Sequence, residues 1–600
     1  MSPSRRLAVV IGVHCAVTAL IAAAFAWRFG QNPRVVVSHL LLIAEWDLLL
    51  AAVAAVAGRR ASTMLRVLLI ATCTLQAYLY VLDAVSNGSW GRNITGHLVT
   101  AYAPTIWSGL EPFPVGRPGI MAFLGGTFAL VAAIVWWSSR GLPTLSGGWS
   151  TRPRQVAAVV ALCSAAVFGF TVRWGVADRD NRLWKDELIA SFFRPVGYAF
   201  EPTPRRHSVA ERDAVLQASY PRHIAGARHT NVILIIVDSL RADHMQVYGY
   251  DRNTTPFLSR LVASGRMKKV ERAFSTCSES FCGITSTLAG REFRDISPRT
   301  FQLQDVLTDE GYQPWFLLSG NHTAWNGLTQ FYHAPDGRLF DGSQTLRYTV
   351  DDDRLVLEGF ERVPLASPEH PAFFYVHLMS THYLGVQFAE SHVFTRAGDT
   401  VDPGDEPYAI LDQLQKRDRY DDKVLQADGV IHQLFDALSA KHYLDDAIVV
   451  VTADHGEGLG ERHWAHGWHL YNEDIRIPML IYDVRALKLR DLSFATQVDI
   501  APTILDRLGL PIPESWEGAS LLNAPRVRFT YHQTYFLPNR FAVLYREGPA
   551  LYKFIATPDY GQEELYDLIR DRGETHNLTD VQPRLAAMLR DKVRAYRDGE

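Results

Sequence analysis

The chain has 600 residues, 48% hydrophobic and 21% charged, with a formal net charge of −4. That length exceeds one hydrophobic core, and the slightly acidic balance excludes a broadly basic surface, so no nucleic-acid partner is expected. Five cysteines are too few for a disulfide-scaffolded fold.

The first third is strongly apolar. Five runs, Leu7–Ala26, Val35–Ala57, Met64–Leu82, Ile120–Trp137 and Val156–Val172, are 17 to 23 residues long, enough to cross a bilayer as helices. Residues 1–175 are therefore expected to form a transmembrane domain with five helices, the first retained rather than cleaved. Arg5, Arg6, Arg59, Arg60, Arg140, Arg152 and Arg154 fall on one side, which makes that side cytoplasmic and exports everything after about residue 175. The exported loop Ser86–Pro118 carries Trp90 and Trp107. Glu45 and Asp47 lie inside the second run, where an acid is either functional or held by an interhelical partner.

Residues 176–228 read as a juxtamembrane linker. Arg205–Gln217 predicts a short helix with Ser208 as N-cap and Glu211 three positions on. A segment that lays the next domain on the lipid and a plain spacer both fit.

Residues 229–590 read as an exported catalytic domain. Asn231–Val237 is a continuous apolar run, a strand buried on both faces. Further strands are predicted at Trp315–Leu318, Phe373–Leu378, Ala447–Thr452 and Pro478–Tyr482, with helices at Thr255–Ser264, Arg419–Ala440 and Asp499–Leu508. The alternation predicts an α/β sandwich with a largely parallel sheet. Ligands bind such sheets at the carboxyl ends of the strands. Asp238 follows the first strand, and Asp454 and His455 follow another, within Val449–His469, which also holds His463, His466 and His469. Carboxylates and imidazoles emerging together suit a divalent metal. Of the three later histidines, one of His463 and His469 is expected to be an ordinary surface residue. A third piece, Ser275–Glu292, places Ser280 at the start of a helix over Gly283–Arg291, where backbone N–H groups favour anions. Ser280 is either a nucleophile or a helix N-cap, and Ser278, Thr276 and Thr285 compete with it by position.

Together these pieces resemble the sulfatase-like branch of the alkaline phosphatase superfamily over about Asn231–Leu578. The resemblance rests on NVILIIVDSLRADH from Asn231, VTADHGEGLGE from Val451, the segments Val498–Leu505 and Trp516–Leu521, and the end Glu564–Leu578. In that family the nucleophile lies ten residues before a helix-closing glycine, which maps onto Ser280 before Gly290. True sulfatases carry Cys-x-Pro-Ser-Arg there and oxidise the first residue to formylglycine. Ser280-Phe281-Cys282-Gly283-Ile284 lacks the proline and arginine. That departure leaves an unmodified hydroxyl, as in lipid A phosphoethanolamine transferases and lipoteichoic acid synthases, which also join five membrane spans to an exported domain.

The resemblance implies Asp238, Ser280, Asp454 and His455 as metal ligands, with zinc or manganese favoured by the mixed O/N donors and calcium if the chain were a true sulfatase. It implies Ser280 as catalytic nucleophile, and His382 and His466 as substrate-site histidines. It further implies a bacterial inner membrane location, membrane lipid as a partner, and phosphate esters of envelope lipid or glycan as substrate. A sulfuric ester hydrolase and a non-catalytic lipid-sensing regulator are the alternatives, and hydrolysis and transfer both remain open. Cys277 and Cys282 flank Ser280, and either a disulfide or two buried thiols fits.

Overall fold

The computed structural model describes residues 204–224, 230–320, 328–341, 351–383, 385–395, 408–485, 492–523, 527–534, 540–558 and 561–598, together with 16–25, 39–46, 59–90 and scattered other positions. The chain divides into two compact units, Met1–Gly197 and Tyr198–Glu600.

In the first unit, helix α1 spans Arg59–Trp90 and contains the third apolar run. A buried polar cluster ties it to its neighbours: His39 Nε2 lies 2.6 Å from the Tyr80 hydroxyl, and Gln76 donates to Tyr80 at 2.6 Å and to Thr18 at 3.3 Å. Among the described residues no helix is long and apolar enough to cross a membrane. The run Val156–Val172 and Asp47 lie outside the described residues, and Val35–Ala57 and Ile120–Trp137 lie partly outside them.

The second unit opens with α2, Pro204–Ser219. This helix starts a turn earlier than expected, so Ser208 is not its cap; the Ser208 hydroxyl donates to Arg205 O at 2.9 Å. Two bidentate ion pairs pin α2 to the domain: Arg205 to Asp295, and Arg291 to Asp213.

Seven strands form the main sheet: β1 Asn231–Val237, β2 Met267–Lys269, β4 Gln313–Leu318, β5 Leu339–Phe340, β6 Ala372–Leu378, β7 Ala447–Thr452 and β11 Met479–Asp483. Their order is β2-β11-β7-β1-β6-β4-β5. The strands from β7 to β5 are mutually parallel, whereas β11, at the strand expected over Pro478–Tyr482, runs antiparallel to β7. β1 is central and fully buried, as its unbroken apolar run requires. Helices α3 (Pro256–Ala263), α4 (Ser280–Ala289), α5 (Leu303–Asp309), α6 (Thr329–Tyr332), α7 (Arg354–Glu361), α8 (Tyr408–Ala440), α9 (Asn472–Ile475) and α10 (Ile500–Leu508) punctuate the strands. The predicted helix over Gly283–Arg291 is α4, one turn longer at its start.

Three short strands, β3 (Ala273–Phe274), β10 (Arg476–Ile477) and β12 (Ala495–Thr496), make a small sheet, and β8 (Gly458–Leu459) pairs with β9 (Trp464–Ala465). The chain ends in a four-stranded antiparallel sheet, β13 (Val527–Gln533), β14 (Phe541–Glu547), β15 (Ala550–Thr557) and β16 (Gln562–Asp567), covered by α11, Pro583–Asp598. Val543, Phe554 and Leu565 pack there against Leu589 and Val593. The fold class expected for the exported domain, an α/β architecture with a mostly parallel sheet, is thus present.

Candidate metal centre and nucleophile

Asp238 and Asp454 leave the carboxyl ends of two adjacent strands, β1 and β7, so strand pairing alone brings their side chains together. The turn after β1 is tight. Ser239 adopts a left-handed backbone (φ +62°), uncommon for a residue with a Cβ. Local bonds hold it there: its N–H donates to Asp454 Oδ1 at 3.0 Å, its hydroxyl donates to Asp238 Oδ1 at 2.8 Å, and its carbonyl accepts the Tyr420 hydroxyl at 2.6 Å.

Ser280 is the first residue of α4. The N-cap is Glu279, whose carboxylate accepts the N–H groups of Phe281 and Cys282. The cap function open for Ser280 therefore belongs to its neighbour, and the Ser280 hydroxyl is released to the site. It donates to Asp238 Oδ2 at 3.2 Å and lies 3.1 Å from His455 Nε2. Helix α4 approaches so closely that a Cβ at Gly283 would overlap the Asp454 carbonyl oxygen. Cys277 and Cys282 form a disulfide across Ser280, with Cα atoms 5.9 Å apart, which decides between the two open readings of that pair.

His455 Nδ1 lies 2.7 Å from Gly456 O, an atom that only accepts, so the ring proton sits on Nδ1 and Nε2 keeps its lone pair. Asp238, Asp454 and His455 each offer one ligand atom, and these lie within 4.8 Å of one another. Asp454 Oδ2 is buried with no hydrogen-bond partner. Burial and the charge of Asp238 push the Asp454 carboxyl well up. Burial also pushes Asp238 up, but His382, His377 and His455 outweigh it and hold that carboxyl well below the usual range. Two buried carboxylates, one with an orphaned oxygen, and an imidazole lone pair are a donor set that a divalent cation satisfies.

The two other predicted site histidines are brought to the same place. His382 and His466 have ring centroids 5.6 Å apart, and His466 lies 4.1 Å from His455. Their surroundings differ. Burial holds His382 down to about 4. Burial also lowers His466, but Glu457, 3.1 Å from its Nδ1, raises it to about 9. His463 and His469 are both partly buried, which overturns the expectation of a plain surface histidine. Their rings stack at 4.2 Å, His463 Nε2 lies 2.9 Å from Asp474, and Arg540 donates to His469.

Sequence reasoning missed His377, which points from inside the apolar run of β6 to within 3.4 Å of Asp238. A histidine interrupting a fully buried strand was the available signal. It also missed Lys423 on α8, whose ammonium donates to the carbonyls of His382 and Tyr383.

Residues 230–510 match the sulfatase family model, and residues 460–598 match that of the C-terminal region of N-sulphoglucosamine sulphohydrolase. The chain is a sulfatase-like member of the alkaline phosphatase superfamily. It is 29% identical over 197 residues to the N-acetylglucosamine-6-O-sulfatase of Bacteroides thetaiotaomicron, covering 30% of this chain and 35% of that one. It is 26% identical over 262 residues to the Kdo(2)-lipid A phosphoethanolamine 7''-transferase of Salmonella typhimurium, covering 42% and 44%. The sulfatase-like chain thus spans less than half the length of these curated relatives. Its fold is similar to that of the integral membrane lipooligosaccharide phosphoethanolamine transferase A from Neisseria meningitidis, with a TM-score of 0.50 and 14% identity over 85% of this chain and 97% of the other.

Proposed function

We propose that the chain is a membrane-anchored, metal-dependent phosphotransferase or phosphodiesterase that acts on phosphate esters of envelope lipid or glycan through a phosphorylated Ser280. The observation that carries this reading is the placement of a plain serine hydroxyl 3.2 Å from Asp238 and 3.1 Å from His455. Five apolar runs and the likeness in fold to an integral membrane transferase support the anchor and an inner-membrane location with the catalytic domain outside.

Asp238, Asp454, His455 and the Ser280 oxygen would hold the cation, with zinc or manganese suiting the mixed donors. A cation there lowers the hydroxyl pKa and neutralises phosphoryl charge. Ser280 Oγ, its proton released to solvent, attacks phosphorus. The new O–P bond forms as the bond to the leaving oxygen breaks, and His466, kept protonated by Glu457, gives that oxygen a proton. His382, kept neutral by burial, then takes the proton of the incoming hydroxyl as it attacks phosphorus and releases Ser280. Water makes the reaction a hydrolysis, and a sugar or lipid hydroxyl makes it a transfer.

Mass spectrometry of the 275–291 peptide, from protein incubated with a phosphodiester and quenched in acid, tests this. A phosphate-containing adduct on Ser280 is expected. Formylglycine at that position would instead make the chain a sulfatase.

A further inference from the structure

Away from the metal centre, Arg272, Arg476 and Arg572 line one cavity of about 60 Å³. Such a volume admits roughly four to six waters. Arg272 follows β2, Arg476 opens β10, and Arg572 follows β16, so three separate parts of the fold deliver like charge to one place. Among the described residues none of the three guanidiniums makes a hydrogen bond or a carboxylate ion pair, and Arg476 Nε is buried without an acceptor.

The neighbouring acids offset this cluster only in part, Glu271 raising Arg272 against its burial and the other two arginines. Glu271 lines the same cavity but lies 3.4 Å from Lys269. Asp243, whose carboxyl also feels Arg476, is held at both oxygens by Arg241. Burial and the charges of Arg572 and Arg476 together hold Arg272 below the usual arginine value. The other polar wall groups are engaged: the Tyr248 hydroxyl donates to Met479 O, and the Asn472 amide donates to Arg572 O. Recognition therefore falls to the arginines, whose forked donors match tetrahedral oxyanions.

We propose that this cavity is a second anion site that takes a phosphate or sulfate group, either free or as the headgroup of an anionic lipid. None of its lining residues is a candidate metal ligand, so the assignment stands whatever reaction the centre performs. From this site the β3–β10 strand pair leads into the Ser280 loop. Arg476 pairs with Phe274, and the next residue, Ser275, donates its N–H to Ile475 O at 2.8 Å before the chain turns into the Ser280 loop.

Calorimetric titration of the full chain in neutral detergent tests the proposal, using the Asp454→Asn variant so that the metal centre does not contribute. Inorganic phosphate is expected to bind, and Arg272→Gln with Arg572→Gln added is expected to weaken it at least about tenfold. Arg572→Gln alone, at an exposed position, guards against misfolding: it is expected to keep the melting temperature and still weaken binding. A parallel titration with dihexanoyl-phosphatidylglycerol separates the sources. Arginine-dependent binding of the lipid alone assigns a headgroup, and arginine-dependent binding of phosphate assigns a free anion. No binding of either, or binding indifferent to the arginines, overturns the proposal.

Discussion

The Ser280 hydroxyl lies 3.1 Å from His455 Nε2, although 175 residues separate the two in sequence. Because Glu279 already caps α4, the helix start does not depend on that hydroxyl, whose bonds run only to the site residues Asp238 and His455. Ser280→Ala is therefore expected to fold with an unchanged melting temperature while kcat on a chromogenic phosphodiester falls at least about 10³-fold. Residual turnover within tenfold of the parent enzyme would remove Ser280 from the chemistry.

Asp454 presents a buried, unpartnered Oδ2 toward the other donors. Asp454→Asn is expected to lower bound zinc or manganese, measured by elemental mass spectrometry after dialysis, at least about tenfold. Chelation of the parent enzyme is expected to abolish turnover, with recovery on adding back the metal. An undiminished metal content in the variant would move the site elsewhere.

Gly283 has no room for a methyl group, because the Asp454 backbone occupies that space. Gly283→Ala is expected to destabilise the domain by about 1–3 kcal/mol, and to weaken metal retention as Asp454 is pushed back. The same substitution at Gly311, where the Cβ meets nothing within 4 Å but the backbone is left-handed, should lower stability without touching metal content.

His532 on β13 is buried, with Nδ1 2.6 Å from Ser275 O, and burial holds it down to about 3. An unfolded imidazole titrates near ~6.5. Neutral His532 thus contributes stability that is fully present above that pH and lost as pH falls toward about 3. From pH 7.5 to 5.5 the loss from this one group is ~1.4 kcal/mol. Denaturant titrations at the two pH values should show this slope in the parent and a shallower one in His532→Asn. Equal slopes would assign the acid sensitivity to other groups.

Much of the site was legible because strand ends are legible. An unbroken apolar run followed by an acid states both burial and position, which is how Asp238 and Asp454–His455 came together on paper. Direction was not legible: an apolar run reads the same either way, so nothing in Pro478–Tyr482 shows that β11 runs antiparallel. Caps slipped by one residue, since serine and glutamate at positions 280 and 279 are both competent and only three-dimensional geometry assigns them. His377, His463 and His469 were missed or misjudged for a common reason. A histidine's burial depends on partners such as Asp238 and Asp474, which are remote in sequence or hidden in an unrelated helix.

The bridge between Cys277 and Cys282 closes a very short loop, with a sequence separation of 5. Its entropic contribution to global stability is only about 2 kcal/mol by the loop-length relation. Its consequence lies in biogenesis. The two thiols can join only after meeting an oxidant, so under the proposed export of this domain the loop that holds Ser280 would be completed only after translocation. Dithiothreitol is accordingly expected to cut turnover sharply while moving the melting temperature by no more than a few degrees. Loss of both together would make the bridge a staple of the whole fold.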